Sequence, residues 1–342
     1  MLQLLIESIK QESADTATFF LKEVSGRKVP YKAGQFITLV FAHRTEEIRR
    51  SYSLSSSPDE DLLAVTVKRQ ANGEISRFML NKLNAGETLS AVEPAGRFVV
   101  NSFNPEKDIF FFAAGSGITP VFSQLKYILK RDAKSRLTLI YSNKDASVLF
   151  RTELDKLATE HPDRLRITYL ISSEGNRLNN DGVERLVKQN LKYELDKAEF
   201  YTCGPFTYMR MVRLTLIYIG VDPGKIRREN FVIETISVAS SLVNYPPGKV
   251  KIHFKGEAYD ITTGENQSIL QAALQNNVQL PYSCRVGSCS TCSAICKSGK
   301  VVMSVNEVLT DSDLAQGWIL TCTGHPVSDD VVIEYPTTQS YA

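Results

Sequence analysis

The chain has 342 residues, room for two or three domains of about 100–200 residues each. Apolar residues make up 43% and charged residues 23%, the balance of an ordinary soluble globular protein. The formal net charge of +2 excludes a general electrostatic pull toward nucleic acid; the net is −3 from Lys249 onward and +5 before it, a split that could help two modules dock and that random scatter also produces.

The opening Met1–Ser8 has no basic start, only a short apolar run, and Glu7 and Lys10 interrupt it, so it reads as a first strand and not as an export signal. No stretch approaches the ~18 uninterrupted apolar residues of a membrane span. These features are expected of a cytoplasmic protein. From Leu2 to about Phe103 the chain is β-rich: Thr16–Leu21, Gln35–Val40 and Leu63–Lys68 are short β-prone runs between Gly, Pro and charged turns, the spacing of a small antiparallel barrel. Within it, Arg49-Arg50-Ser51-Tyr52-Ser53-Leu54-Ser55-Ser56 places Arg50, Tyr52 and Leu54 on one strand face and Ser51, Ser53 and Ser55 on the other. A guanidinium can pair with a phosphate, and a tyrosine can lie against a flat ring or bond a sugar hydroxyl. Asn72-Gly73-Glu74-Ile75-Ser76 then looks like a glycine turn opening a short helix. Such a helix start can hold phosphate, with Ser76 adding a hydroxyl, or can simply be a capped helix without a ligand.

Asp108–Ala114 is a continuous apolar run, the pattern of a strand buried on both faces of a parallel sheet. It leads into Gly115-Ser116-Gly117-Ile118-Thr119-Pro120 and an amphipathic stretch to Leu129. β-prone runs at Leu137–Tyr141, Leu165–Ile171 and Phe200–Thr202 alternate with helical patterns at Thr152–Thr159, Gly182–Gln189 and Phe206–Tyr218, which predicts a doubly wound α/β unit. Its ligand crevice lies at the carboxyl ends of the strands, where Gly115–Thr119, Ser142-Asn143-Lys144, Ser172-Ser173 and Cys203-Gly204-Pro205 fall. Pro120 stands where Gly-x-Gly-x-x-Gly has its third glycine, so the loop can hold a pyrophosphate without meeting the usual dinucleotide fingerprint. Ser142, Lys144 and Arg151 could meet a 2′-phosphate, which leans toward NADPH over NADH; the alternative is a solvated loop. Cys203 would sit at the mouth of the crevice, packed against a nicotinamide or as an inert buried thiol.

Small, polar and proline residues from 233 to 248 read as a linker. Beyond it, Val250–Phe254, Ala258–Ile261 and a helical stretch from Ser268 to Asn276 make a compact α+β module. Three cysteines follow at Cys-x4-Cys-x2-Cys spacing, Cys284, Cys289 and Cys292, with Cys322 downstream. That is the plant-type arrangement for a [2Fe–2S] cluster, in which two irons take two thiolates each. Gly287, Ser288, Ser290 and Thr291 are small enough to let backbone N–H groups reach the sulfurs. A zinc site would show two Cys-x2-Cys knuckles, and disulfides would need an oxidising compartment. Cys296 is expected to be a small buried side chain on a strand.

Arg50-Ser-Tyr-Ser, Gly73-Glu-Ile-Ser76, Gly115-Ser-Gly-Ile-Thr-Pro120 and Cys203-Gly-Pro, in that order, resemble the ferredoxin–NADP reductase superfamily, and the tail resembles a plant-type ferredoxin fused behind it. Leu280–Cys284, Gly299–Asn306 and Gly317–Asp329 are especially similar to the reductase components of phenylacetyl-CoA epoxidase complexes. The resemblance implies three domains: an antiparallel β-barrel flavin domain over 1–103, a doubly wound NAD(P)-binding domain over 104–232 and, after the linker, a β-grasp ferredoxin domain over 249–342. It implies FAD, with Arg50 on the pyrophosphate, Ser51 and Tyr52 along the ribityl, Ser53 at the flavin N5 region, Val67 beside it, and Gly73, Glu74, Ile75 and Ser76 holding the phosphates. Gly115, Gly117 and Thr119, with Cys203 and Gly204, would approach the nicotinamide; Ser142, Asn143 and Lys144 would meet the rest of that nucleotide. Phe231 matches an aromatic that relatives place near the flavin. Ser53 and Cys203 are the candidates closest to the reaction. NAD(P)H gives electrons in pairs and a [2Fe–2S] cluster takes them singly, so the expected order is NAD(P)H, FAD, cluster, outside acceptor. The acceptor expected is an oxygenase, a phenylacetyl-CoA epoxidase-type diiron enzyme above all. A fatty-acyl desaturase, a Rieske oxygenase, a hybrid-cluster protein or a non-catalytic redox sensor are the alternatives.

Overall fold

The computed structural model describes residues 1–43, 46–100, 106–132, 134–231 and 244–336. The chain divides into two compact units, Met1–Phe231 and Val232–Ala342. The first unit begins with strands β1 (Leu2–Ser13), β2 (Thr16–Glu23), β3 (Phe36–His43), β4 (Glu46–Ser53) and β5 (Leu63–Lys68), then helix α1 (Glu74–Lys82) and strand β6 (Thr88–Ala95). They form one antiparallel sheet in the order β4-β3-β6-β1-β2-β5. Register shifts in β1 between Ile6 and Ser8 and between Gln11 and Ser13 add local twist. The sheet curls until its two outer strands meet at a single bridge, Leu54 to Val65, so the barrel closes at one point and not along a full ladder. Leu4, Ile6, Phe19, Leu21, Ile37, Leu39, Leu54, Val65 and Val67 fill its inside.

The second lobe of this unit alternates strands and helices: β7 (Asp108–Ala114), α2 (Ile118–Arg131), β8 (Arg136–Asn143), α3 (Arg151–Glu160), β9 (Leu165–Ile171), α4 (Asn180–Asn190), β10 (Glu199–Cys203), α5 (Phe206–Tyr218) and β11 (Ile226–Glu229). The parallel sheet runs β11-β10-β7-β8-β9. β7, apolar from Ile109 to Ala114, is its central strand, and its period-2 alternation serves both faces. Ile109, Phe111 and Ala113 pack with Val121 and Leu125 of α2 and Leu154 of α3. Phe110 and Phe112 pack with Val183 and Val187 of α4 and Val212 and Leu216 of α5. Chain order reverses between β7 and β10, which makes their carboxyl ends the switch point where such sheets take ligands.

Of the expected linker, residues 233–243 lie outside the described residues, and Gly248 already begins β12 (Gly248–Phe254). The second unit continues with β13 (Glu257–Thr263), α6 (Ile269–Gln275), β14 (Ser293–Ser298), β15 (Val301–Met303), α7 (Asp311–Ala315), β16 (Trp318–Leu320), β17 (Gly324–Pro326) and β18 (Val331–Glu334). Its main sheet, β13-β12-β18-β14-β16, is mixed, with β12 parallel to β18 and the other pairs antiparallel. Lys255 and Gly256 both have positive φ, 53° and 85°, the requirement of the two-residue hairpin turn joining β12 to β13. Ser268 and Gln271 cap α6 reciprocally, and Ile269, Leu270, Ala272 and Ala273 bury one side of it against Ile252, Ile261 and Ile333. This is the expected β-grasp arrangement. Among the described residues, no helix is long and apolar enough to cross a membrane.

Phe111 is fully buried on the central strand, its ring 5.4 Å from that of Tyr201. Phe111→Ala is expected to cost about 3–5 kcal/mol, read as a lower urea midpoint at unchanged slope for the first unit.

Candidate functional site

The flavin-motif strand β4 presents side chains of graded exposure. Arg50 is exposed, and its Nη1 donates to the Arg49 carbonyl at 2.8 Å. Ser51 Oγ pairs with Thr38 Oγ1 at 2.9 Å across the β3–β4 ladder. Tyr52 is half-buried, and burial pushes its phenol up to about 12, against a smaller opposing pull from Arg50. Ser53 is buried and donates to Glu229 Oε1 at 3.4 Å. Val67 is in the barrel core. Gly73 is the N-cap of α1, whose first N–H groups have no carbonyl of their own helix to bond. Glu74 opens that helix, and Ile75 and Ser76 are buried in its first turn. Ser76 Oγ accepts from the Gln70 N–H and donates to the Gly73 carbonyl, both at 3.1 Å, so it shapes this turn.

At the switch point, Gly115–Gly117 forms one turn of 3₁₀ helix that runs straight into α2. A Cβ on Gly117 would lie 2.2 Å from the Cys203 carbonyl oxygen, so only glycine lets this turn rest on the end of β10. Tyr141 donates to the Gly115 carbonyl at 3.0 Å and Thr119 to the Ser116 carbonyl at 3.0 Å, which fix the turn from both sides. Cys203 is fully buried, in register with Ala113 of β7 and Glu229 of β11. Burial pushes its thiol well up, with Glu229 adding to the effect, which favours the neutral thiol. Gly204 follows at the start of the Gly-Pro turn, and Phe231 is exposed.

The carboxyl ends of these strands hold an excess of unsatisfied polar atoms. Thr202 Oγ1, Glu229 Oε2 and Asn230 Oδ1 are buried with no hydrogen-bond partner among the described residues, and Ser142 Oγ and Asn143 Nδ2, also buried, have only the Tyr208 and Tyr141 phenols beside them. Orphans of this kind in one crevice fit a polar ligand such as a dinucleotide. Lys144 is exposed, and its carbonyl accepts from the Ser173 N–H at 3.0 Å. Arg151 is engaged elsewhere: its guanidinium stacks 3.8 Å over the Tyr169 ring and donates to Asp155 Oδ2 at 3.0 Å. In this structure its guanidinium is thus shared between β9 and its own helix.

Glu229 is legible in the sequence only as a neighbour of Phe231. It ends β11, a four-residue strand, Ile-Arg-Arg-Glu, with no apolar pattern to announce it. Burial pushes its carboxyl up to about 8, and the Ser53 hydroxyl pulls weakly the other way. That shift favours the protonated carboxyl beside Ser53. Tyr208, on α5 after the Gly-Pro turn, also escapes sequence reasoning; its hydroxyl donates to the Ala113 carbonyl at 3.3 Å and lies near Ser142.

In the second unit the four cysteines converge. Cys284 interacts with both Cys289 and Cys322, and Cys292 with Cys322. The sulfur contacts hold the Cys284 and Cys292 thiols down and push those of Cys289 and Cys322 up, because close thiols cannot all ionise without a cation. The Val286 N–H donates to Cys284 Sγ and the Cys284 N–H to Cys289 Sγ, both at 3.5 Å, while Thr291 Oγ1 lies 3.3 Å from Cys289 Sγ. Among the described residues no three His, Cys, Asp or Glu side chains meet around one point for a single ion, whereas the Cys284–Cys289 and Cys292–Cys322 pairs suit a two-iron cluster with two thiolates per iron. All six cysteines are free. Cys296 stands apart and is only partly buried, its thiol donating to the Ser298 carbonyl at 3.2 Å, because it lies near the end of β14 where the strand leaves the core.

Comparison with known proteins agrees with this layout. Three family models match in sequence: an oxidoreductase FAD-binding domain over residues 3–100, an oxidoreductase NAD-binding domain over 111–214 and a 2Fe-2S iron-sulfur cluster binding domain over 252–327. The ferredoxin reductase component of 3-ketosteroid-9-alpha-monooxygenase from Mycolicibacterium smegmatis is 32% identical, over 98% of this chain and 97% of the relative. A component of 1,2-phenylacetyl-CoA epoxidase from Escherichia coli is 30% identical, over 97% of each. Among solved structures, phthalate dioxygenase reductase shares the fold with a TM-score of 0.61 at 24% identity, each chain 98% covered. An intact type IV self-sufficient cytochrome P450 monooxygenase gives a TM-score of 0.71 at 22% identity over 97% of this chain, which spans 40% of that protein's length.

Glu229 carries its proton to higher pH folded, about 8, than unfolded, near 4.5, so the folded state binds the extra proton in that window and stability falls as pH rises through it. Glu229→Gln removes this titration. The variant and the parent are expected to melt alike near pH 5, with the variant ahead by on the order of a few degrees toward pH 9. A difference that does not change with pH would contradict the assignment.

Proposed function

The chain belongs to the family of ferredoxin reductase components of oxygenase systems, with FAD-, NAD- and 2Fe-2S-binding domains, and we propose that it takes hydride from a nicotinamide nucleotide and delivers electrons singly to a phenylacetyl-CoA epoxidase-type diiron enzyme in the cytoplasm. The observation that carries the reading is the pairing, in one chain, of a Ser53–Glu229 contact at strand ends that hold unpartnered buried polar atoms with a group of four thiols.

Bound to these residues, FAD supplies two-electron uptake with one-electron release, and a [2Fe–2S] cluster supplies one-electron transfer. Everything else falls to the chain. Arg50 and the N–H groups at the start of α1, from Gly73 through Glu74, Ile75 and Ser76, would hold the pyrophosphate. Tyr52, its phenol protonated, would lie along the flavin with Ser51 and Val67 beside it. Ser53 would donate toward the flavin N5 edge, with Glu229 keeping a proton in reach. Gly115, Gly117 and Thr119 would carry the nicotinamide nucleotide, and Cys203 and Gly204 would exclude water from the reacting face. Ser142, Asn143 and Lys144 would take the adenosine end. Phe231, exposed in this structure, would cover the flavin. Cys284, Cys289, Cys292 and Cys322 would ligate the cluster.

A second partner reading, a 3-ketosteroid monooxygenase, is favoured by the 32% identity to its reductase component against 30% for the epoxidase component. Purified holoprotein supplied with NADH or NADPH should support turnover by one of the two oxygenases and not the other. Cys322→Ser should abolish that turnover while the flavin is still bleached by the nucleotide; full turnover in this variant would refute the relay. Because Lys144 is exposed beside Ser142 while Arg151 is paired with Asp155, Lys144→Ala is expected to lower the NADPH-to-NADH ratio of kcat/KM by about tenfold, the worth of ~1.4 kcal/mol, and Arg151→Ala to leave it within about twofold.

A further inference from the structure

We propose that Ser123 and Gln124 are positioning residues for hydride transfer, pinning the helix that carries the nucleotide loop to the lobe that carries the flavin. The inference rests on the reading of the switch-point crevice as the hydride-donor site. α2 emerges from the Gly115–Gly117 turn, and Ser123 comes one helical turn after Thr119, about 6 Å along the axis. Two adjacent polar side chains on this helix, Ser123 and Gln124, are fully buried. Such burial is unfavourable unless each finds a partner. Both partners are backbone carbonyls of the flavin lobe: Ser123 Oγ donates to Ser56 and Gln124 Nε2 to Phe98.

These acceptors are themselves fixed. Ser56 lies three residues beyond Ser53 on the flavin-motif segment, and its hydroxyl is held by Tyr31 Oη at 2.8 Å and by the Ala64 N–H at 2.9 Å. The flavin lobe also makes room for the second pin. Gly34 has φ +93°, and a Cβ there would fall 2.1 Å from the Phe98 carbonyl and 2.2 Å from Gln124 Nε2. A side chain at this position would occupy the place of the bond. The other amide atom, Gln124 Oε1, is buried without a partner, so the residue bears a desolvation cost for which packing alone gives no reason. Farther along the helix, the partly buried Lys126–Glu60 pair and the exposed Arg131–Asp59 pair continue the seam, the latter weakened by solvent. The buried pair therefore sets the position. A hydride must pass between carbons about 3–3.5 Å apart, and a 1 Å misplacement can cost about 100-fold. Both pins act through the first turns of α2 on the donor side; on the acceptor side Ser123 holds the Ser53–Ser56 segment and Gln124 holds the Phe98 backbone.

The test uses FAD-loaded full-length protein in anaerobic stopped flow with NADH and NADPH, protiated and 4-deuterated. In the Ser123→Ala, Gln124→Ala double variant, FAD content and nucleotide Kd should stay within about twofold of the parent. Flavin bleaching should slow by about 10- to 100-fold, and the long-wavelength absorbance of the stacked nucleotide–flavin pair should weaken. Ser123→Thr, which keeps the hydroxyl, should restore the rate to the single Gln124→Ala level. Should the double variant lose its FAD, Gln124→Met, which keeps volume and removes the donor, carries the same expectation. Parent-like bleaching, isotope effect and long-wavelength absorbance in variants that bind nucleotide would overturn the proposal, as would a loss confined to Kd. A parent protein that neither nucleotide bleaches would instead sink the reductase reading beneath it.

Discussion

A buried polar group that bonds nothing costs about 1–3 kcal/mol, and this chain keeps several at one end of one parallel sheet. That constraint organises the first unit. Parallel strands must be apolar on both faces, so β7 spends its side chains on two helical layers and has none left for chemistry. Chemistry is pushed to the strand ends, where the chain reverses order and the backbone turns away. Gly117 resting on the Cys203 carbonyl, Tyr141 reaching the Gly115 carbonyl and Ser53 reaching Glu229 are three ways of holding that end open and shaped without filling it.

The second unit meets a different requirement with different means. Four thiols that repel one another as anions must be brought within reach of two irons. The loop from Pro281 to Cys292 has little regular structure, and its shape comes from backbone N–H groups aimed at sulfur. The fourth thiol is held from below. Thr321, beside Cys322, is fully buried; its N–H and its hydroxyl both donate to the Cys292 carbonyl, at 3.2 and 3.0 Å, and its Oγ lies 2.7 Å from the Tyr335 hydroxyl. The core packing of Ile252, Leu320 and Ile333 thus extends to Cys292 and Cys322 through one threonine.

Sequence carries the parts of this design that depend on local pattern. The Asp108–Ala114 strand, the glycine loop and the cysteine spacing are each set by a few contiguous residues under strong physical demand, and they read off directly. Parts that depend on distant partners do not. β11 has two arginines in four residues and a single buried apolar side chain, Ile226, so neither its existence nor the burial of Glu229 is readable. Ser123 and Gln124 sit inside an amphipathic helix whose apolar periodicity masks them, and their partners lie 67 and 26 residues earlier. Arg151 looks available for phosphate because the ring that claims it, Tyr169, is on the next strand of the sheet.

The crowding of Cys284, Cys289, Cys292 and Cys322 has a cost when iron is lacking. Thiols in mutual contact are suited to joining one another once an oxidant arrives. Oxygen would then convert a vacant nest into a covalent knot that no amount of iron reopens without a reductant. Loading with metal is thus a race against rust of the protein's own making, and whatever supplies sulfide and iron to this polypeptide must win it soon after synthesis.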